Sequence, residues 1–160
     1  MVFNRSHIRP DGAGVVRPAR AVSESKSVEA TILLIDDEAD VLSSLVQILT
    51  AAGYCCHTAS DCHAALQRVE HLSPDLIISD INLCGYSGLT LCEQIKQQPG
   101  LADVPVMFLS GAQIPDIIRR AHAAGGTYYL RKPFDPEVLL ELIDKALWMP
   151  HLVGARLSKV

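Results

Sequence analysis

Four short stretches of the 160-residue chain carry side chains able to do chemistry. Asp36, Asp37 and Glu38 follow one apolar run, Asp80 and Asn82 a second, Ser110-Gly111 a third, and Lys132-Pro133 comes just beyond a fourth. Carboxylates held a few Å apart repel, so at least one stays protonated unless a cation is present. Lys132 offers one positive charge against the negative charges of Asp36, Asp37 and Asp80. That deficit invites a divalent ion, and an all-oxygen site suits Mg²⁺. A carboxylate is able to attack a phosphoryl group, while a cation, a lysine and a small hydroxyl stabilise charge on the transferred oxygens. Asp80 is the best-placed nucleophile, because it ends the central apolar run with a turn directly behind it. Asp36 and Asp37 would hold the ion, and Lys132 and Ser110 would each contact one phosphoryl oxygen.

Taken singly, each residue has a commoner role. Asp36-Asp37 is ordinary helix-start chemistry through the dipole, Asp80 could cap a turn, and Lys132 could be a surface cation. The specificity comes from all four groups following four different strands of one serial pattern. Other metal chemistries fit poorly. None of the six histidines has a paired ligand spacing, and the five cysteines (Cys55, Cys56, Cys62, Cys84, Cys92) are odd in number with no CxxC pair. They read as small buried thiols in a reducing compartment.

The elements that must position these groups are legible as alternating runs. Residues 31–35 (TILLI) are apolar at nearly every position, as in a parallel strand covered on both faces. Val41, Leu42, Leu45, Val46, Leu49 and Ala52 then recur at three- and four-residue steps, the mark of a helix. The same alternation predicts strands at 54–58, 75–79, 104–109 and 127–130, and helices at 62–72, 89–97 and 114–124. Asp135 and Pro136 suit the N-cap and first turn of a last helix running to about Trp148. Five βα units in series imply an open parallel sheet with right-handed crossovers. Ligands of such sheets bind at the carboxyl ends of the strands.

The organisation predicted is a flexible N-terminal tail at 1–30, one domain at 31–149 and a short C-terminal tail at 150–160. The N-terminal tail carries net charge +2 and the remainder −6. An acidic body argues against nucleic-acid binding, which rests on phosphate neutralisation. No window approaches the length of apolar sequence a membrane span needs, and no secretory leader is evident, so a cytoplasmic location is expected.

IDDE at 35–38, PDLIISDINL at 74–83 with Gly88 following, PVMFLSG at 105–111 and YLRKPF at 129–134 together resemble the receiver domain of bacterial two-component response regulators. The resemblance spans about three quarters of the chain. It implies an α/β, flavodoxin-like, doubly wound fold: a five-stranded parallel sheet of order 2-1-3-4-5 with five helices. It implies that Asp80 accepts a phosphoryl group from a histidine of a sensor kinase or phosphotransfer protein. Mg²⁺ would be held by Asp36 or Asp37, Asp80 and the backbone carbonyl of Asn82, Asp37 being the closer acid by the family's pattern. Ser110 stands at the switch hydroxyl position and Tyr129 at the switch aromatic position, and the Lys132-Pro133 bond is expected to be cis.

Such a chain is a signalling receiver that promotes its own phosphorylation and dephosphorylation, and not a conventional enzyme. Phosphorylation would draw Ser110 inward and let Tyr129 swing in, remodelling the face of the fourth helix, fifth strand and fifth helix. With no DNA-binding pattern in the sequence, the output would be an unidentified partner docking on that face, where receivers also pair as homodimers. One departure from the family stands out: Cys84 occupies a position usually held by proline, which is expected to loosen that turn. Two other readings of the acids are weaker. An aspartyl phosphatase would want a second acid at Asn82, and a flavin site would not tolerate IDDEAD in its phosphate loop.

Overall fold

The structure, a computed structural model, describes residues 29–111 and 116–157, with side chains described through Trp148. Strand β1 (Thr31–Ile35) has its last four residues at 1% exposure or less. It is followed by α1 (Ala39–Ala51), β2 (Cys55–Ala59), α2 (Cys62–His71) and β3 (Leu76–Asp80). A small hairpin, β4 (Asn82–Leu83) and β5 (Tyr86–Ser87), leads into α3 (Gly88–Lys96). Then come β6 (Val106–Ser110), α4 (Ile117–Ala123), β7 (Tyr128–Arg131) and α5 (Pro136–Leu157).

The five long strands form one sheet in the order β2-β1-β3-β6-β7, every pair parallel. Counting those five alone, the order is 2-1-3-4-5, the flavodoxin-like doubly wound arrangement. Side chains alternate across a strand, and the alternation divides the core. Ile32, Leu34, Ile78, Met107 and Leu109 pack beneath α1 and α5 with Leu45, Leu49, Leu139 and Ile143. Leu33, Ile35, Ile77 and Phe108 face the other way, towards Ala65, Leu91, Ile95 and Ala121 of α2, α3 and α4. Strand order reverses at β1, so a crevice opens between the carboxyl ends of β1 and β3.

Several boundaries differ from expectation. Asp80 and Ser110 are the last residues of their strands, because the ladder still pairs Asp80 with Leu109 and Ser110 with Arg131. The last helix starts as expected, Asp135 Oδ1 accepting the Glu137 N–H at 2.8 Å, but runs to Leu157 and not to Trp148. Pro150 costs a helix interior one backbone donor, and the helix nevertheless continues past it. The C-terminal tail expected at 150–160 is therefore helical as far as Leu157. The N-terminal tail lies outside the described residues except for Glu29 and Ala30, and Ile114 and Pro115 of the expected fourth helix also lie outside them. The Lys132-Pro133 peptide is cis. All five cysteines are free, but of the thiols expected to be buried only Cys92 is, and Cys84 is exposed.

Candidate functional site

Burial on both faces holds β1 and β3 rigidly side by side, so the residues at their carboxyl ends have fixed places. Asp36 (1% exposed) and Asp80 (7%) are among the few buried polar residues described. With Asp37 and Glu38 they form one acidic group, each offering a carboxylate oxygen within 4.8 Å of the others. Lys132, arriving just after β7, puts its Nζ 2.5 Å from Asp36 Oδ2 and 3.0 Å from Asp80 Oδ2, with Glu38 Oε1 at 3.5 Å. Asp36 Oδ1 accepts the Glu38 N–H at 2.9 Å, and Asp80 Oδ1 accepts the Asn82 N–H at 3.2 Å.

Four acids facing one lysine leave a negative surplus. Burial pushes the Asp36 carboxyl above the usual carboxylate range, opposed by its hydrogen bond from Lys132. Asp37 is held below that range, chiefly by a hydrogen bond from the Cys84 thiol. Burial pulls Lys132 down, but hydrogen bonds to Asp36 and Asp80 together with their charges outweigh it and leave the ammonium raised. Lys132 is therefore firmly cationic and still outnumbered. The donor set fits a hard divalent ion: it is all oxygen. An octahedral ion with bonds of about 2.1 Å spaces its ligand atoms about 3–4.2 Å apart, which carboxylates this close satisfy with small rotations.

Lys132 acts as the internal counter-ion of the metal-free site. Lys132→Ala leaves two nearly buried carboxylates without a cation, and breaking such a pair is costly. We expect the variant to lose about 2–3 kcal/mol in EDTA, the low end because Asp36 relaxes by taking a proton. Urea titrations with and without Mg²⁺ check this. The ion should raise the variant's midpoint more than the wild type's, since it replaces the missing charge.

The other expected residues lie on the same edge. Ser110 is 1% exposed at the end of β6, and its carbonyl accepts the Lys132 N–H at 2.9 Å. Asn82 opens the hairpin beside Asp80, and its Oδ1 accepts the Gly85 N–H at 2.9 Å. Tyr128 and Tyr129 point to opposite faces: Tyr128 packs with the α1/α5 core, Tyr129 with the α4 side. There Tyr129 borders a small cavity of about 60 Å³ with Ile118, Ala121 and His122.

Three participants escape sequence reasoning. Glu38 joins the acidic group; it is visible in the acidic triplet, but nothing in the pattern assigns it a part. Cys84 does not loosen its turn. Cys84 and Gly85 form a two-residue hairpin loop with φ of 50° and 83°, the positive-φ pattern of a type I′ turn. Two hydrogen bonds then run from Cys84 to Asp37 Oδ2. Gly88 stands out in the sequence only as part of a motif, yet a Cβ there would overlap the Asp80 carbonyl oxygen. Each of these depends on backbone geometry or on contacts remote in sequence.

Comparison with known proteins agrees with this geometry. The chain is 32% identical over 114 residues to the DNA-binding transcriptional regulator NtrC of Klebsiella pneumoniae, covering 71% of this chain and 24% of that protein. It is 39% identical over 118 residues to the DNA-binding dual master transcriptional regulator RpaA of Synechocystis, covering 72% and 48%. The chain thus spans about half or less of the length of these relatives. Among solved structures, the chemotaxis response regulator CheY4 of Vibrio cholerae matches with TM-score 0.69 at 30% identity, over 74% of this chain and 98% of that one. A CheY-like receiver domain protein from Methanospirillum hungatei matches with TM-score 0.73 at 27% identity, over 79% and 99%. The family profile itself aligns with residues 32–144, and on that match the chain belongs to the response regulator receiver domain family.

Proposed function

We propose that this receiver accepts a phosphoryl group on Asp80 from a phosphohistidine of a sensor kinase or phosphotransfer protein, in an Mg²⁺-dependent reaction. The observation that carries the reading is the place of Asp80: it ends the central strand inside the acidic group, with the Lys132 ammonium 3.0 Å from its Oδ2. An Asp80 oxygen attacks phosphorus, the bond to the donor imidazole nitrogen breaks, and the imidazole takes up a proton. Asp36, Asp37, Asp80 and the Asn82 carbonyl would hold Mg²⁺, which supplies charge neutralisation for the phosphoryl oxygens. Lys132 is preorganised for one of those oxygens, and Ser110 offers a hydroxyl for another.

Phosphorylation acts as a switch only if it favours one conformer over another. Ser110 drawn towards a phosphoryl group would pull the segment after β6 with it, and Tyr129 would turn into the space beside α4. The face of α4, β7 and α5 then changes shape for an output partner or a second copy of the chain. Ile118 on α4 and Val138 on α5, 66% and 43% exposed, give that face apolar contacts to offer. The encounter with the kinase takes place, in this reading, in the cytoplasm. No helix among the described residues is long and apolar enough to cross a membrane.

The test is intact mass after incubation with acetyl phosphate, with Mg²⁺ or with EDTA. One added phosphoryl group with Mg²⁺ and none with EDTA, mapped to the peptide holding Asp80, is the expected result. No adduct from acetyl phosphate or from phosphoramidate would overturn the reading in favour of a receiver that docks partners without phosphorylation.

A further inference from the structure

The turn between β4 and β5 has a second role besides reversing the chain. The Cys84 N–H and the Cys84 Sγ both donate to one oxygen, Asp37 Oδ2, at 3.0 and 3.1 Å. These bonds fasten the segment after β3 to the segment after β1. They depend on the left-handed backbone of Cys84, φ 50°. Proline at this position would lack the N–H and could not adopt a positive φ, so both bonds belong to this chain's own residue.

The direction of the constraint follows from what is fixed. The hairpin is anchored in the core by Leu83, 3% exposed, and is braced by the Gly85 N–H on Asn82 Oδ1 at 2.9 Å and the Gly88 N–H on the Ile81 carbonyl at 2.7 Å. Asp37 is only half-buried on a short loop. The rigid donor pair therefore orients the carboxylate. Fixing one carboxylate oxygen fixes the plane of the group and so the direction of the other oxygen. Without them Asp37 would keep only its own backbone N–H and the neighbouring Asp36 carboxyl as hydrogen-bond partners.

We infer that Cys84 is a positioning residue for the cation site: its amide and thiol hold the Asp37 carboxylate ready for Mg²⁺ and thereby set the affinity for the ion. This rests on the Mg²⁺ reading above. Groups that orient a metal-binding carboxylate from the outer shell are typically worth 10- to 100-fold in affinity. A thiol is a weak donor, and the amide survives substitution, so the share of the thiol is smaller. Cys84→Ala is expected to bind Mg²⁺ about 3- to 10-fold more weakly than wild type. Cys84→Ser keeps a donor and should stay within about two-fold of wild type.

Isothermal titration of the full chain with Mg²⁺ tests this, alongside thermal denaturation of each variant in EDTA. The expected result is weaker binding in Cys84→Ala, recovery in Cys84→Ser, and equal melting temperatures without the ion, because the thiol is exposed. A merely structural role would move the melting temperature and leave no difference between serine and alanine. Wild-type affinity in Cys84→Ala, or equal losses in both variants, would overturn the inference and leave the Mg²⁺ reading intact. No binding by the wild type would bring down both.

Discussion

Asp80→Ala is expected to gain no phosphoryl group under conditions that load the wild type, a loss of at least about 100-fold in rate. Its acidic neighbours are poorly placed to substitute. Asp36 is buried and accepts hydrogen bonds from Lys132 and the Glu38 amide. Asp37 has one oxygen occupied by two donors from Cys84. Asp80→Asn separates chemistry from folding: its one amide oxygen accepts the Asn82 N–H or the Lys132 ammonium but not both, Lys132 keeps its bond to Asp36, and the clustered charge falls by one. That variant should keep its circular dichroism spectrum while remaining unmodified. An adduct persisting in Asp80→Ala would shift the nucleophile to Asp36 or Asp37.

Gly88→Ala should be the most destabilising small substitution near the site. The new methyl would overlap the Asp80 carbonyl oxygen and stand 3.1 Å from the Ile81 Cα. Both are backbone atoms, so no rotamer change relieves the clash. The same carbonyl already accepts the Ser79 hydroxyl at 2.9 Å. Either α3 retreats, breaking the 2.7 Å bond from the Gly88 N–H to the Ile81 carbonyl, or the end of β3 moves and takes Asp80 with it. The expected cost is about 3 kcal/mol, read by urea denaturation, together with a lower phosphorylation rate. Gly111→Ala is the control. Its nearest neighbour is the Lys132 Cβ at 4.0 Å, an ordinary contact, and its stability should change by less than about 1 kcal/mol. A wild-type midpoint in Gly88→Ala would show that the close approach imposes nothing.

Much of this site is legible in the sequence, and for a definite reason. In a doubly wound sheet the chemistry sits where apolar runs stop, and TILLI, DLIIS, VMFLS and YYLR each stop beside a polar group. The limits of β1 agree with the apolar pattern to the residue because Asp36 ends both the run and the strand. For β3 and β6 the side-chain pattern ends one residue early, since ladder pairing of Asp80 and Ser110 is a backbone property. The hairpin leaves no signal: strands of two residues have no period to detect, and Cys-Gly is not among the turn pairs that announce a positive-φ loop. The link from Cys84 to Asp37 spans 47 residues, and the clash at Gly88 exists only once α3 has been laid against β3. The end of the last helix is the opposite case: it runs through Pro150 to Leu157, past the expected limit at Trp148.

The position of Lys132 in the chain has a consequence for the life of the protein before it is finished. Asp36 follows the first strand of the sheet, Asp80 ends the third, and Lys132 follows the last strand, 96 residues after Asp36. During synthesis the acidic half of the site emerges from the ribosome first. Until β7 pairs with β6, those carboxylates have neither their ammonium nor the ladder that brings it to them. A nascent or truncated chain thus holds an acidic crevice without its internal counter-ion, and only the completed sheet supplies it. In the proposed reading, competence to receive a phosphoryl group is therefore acquired only once the last strand of the sheet has been made and paired.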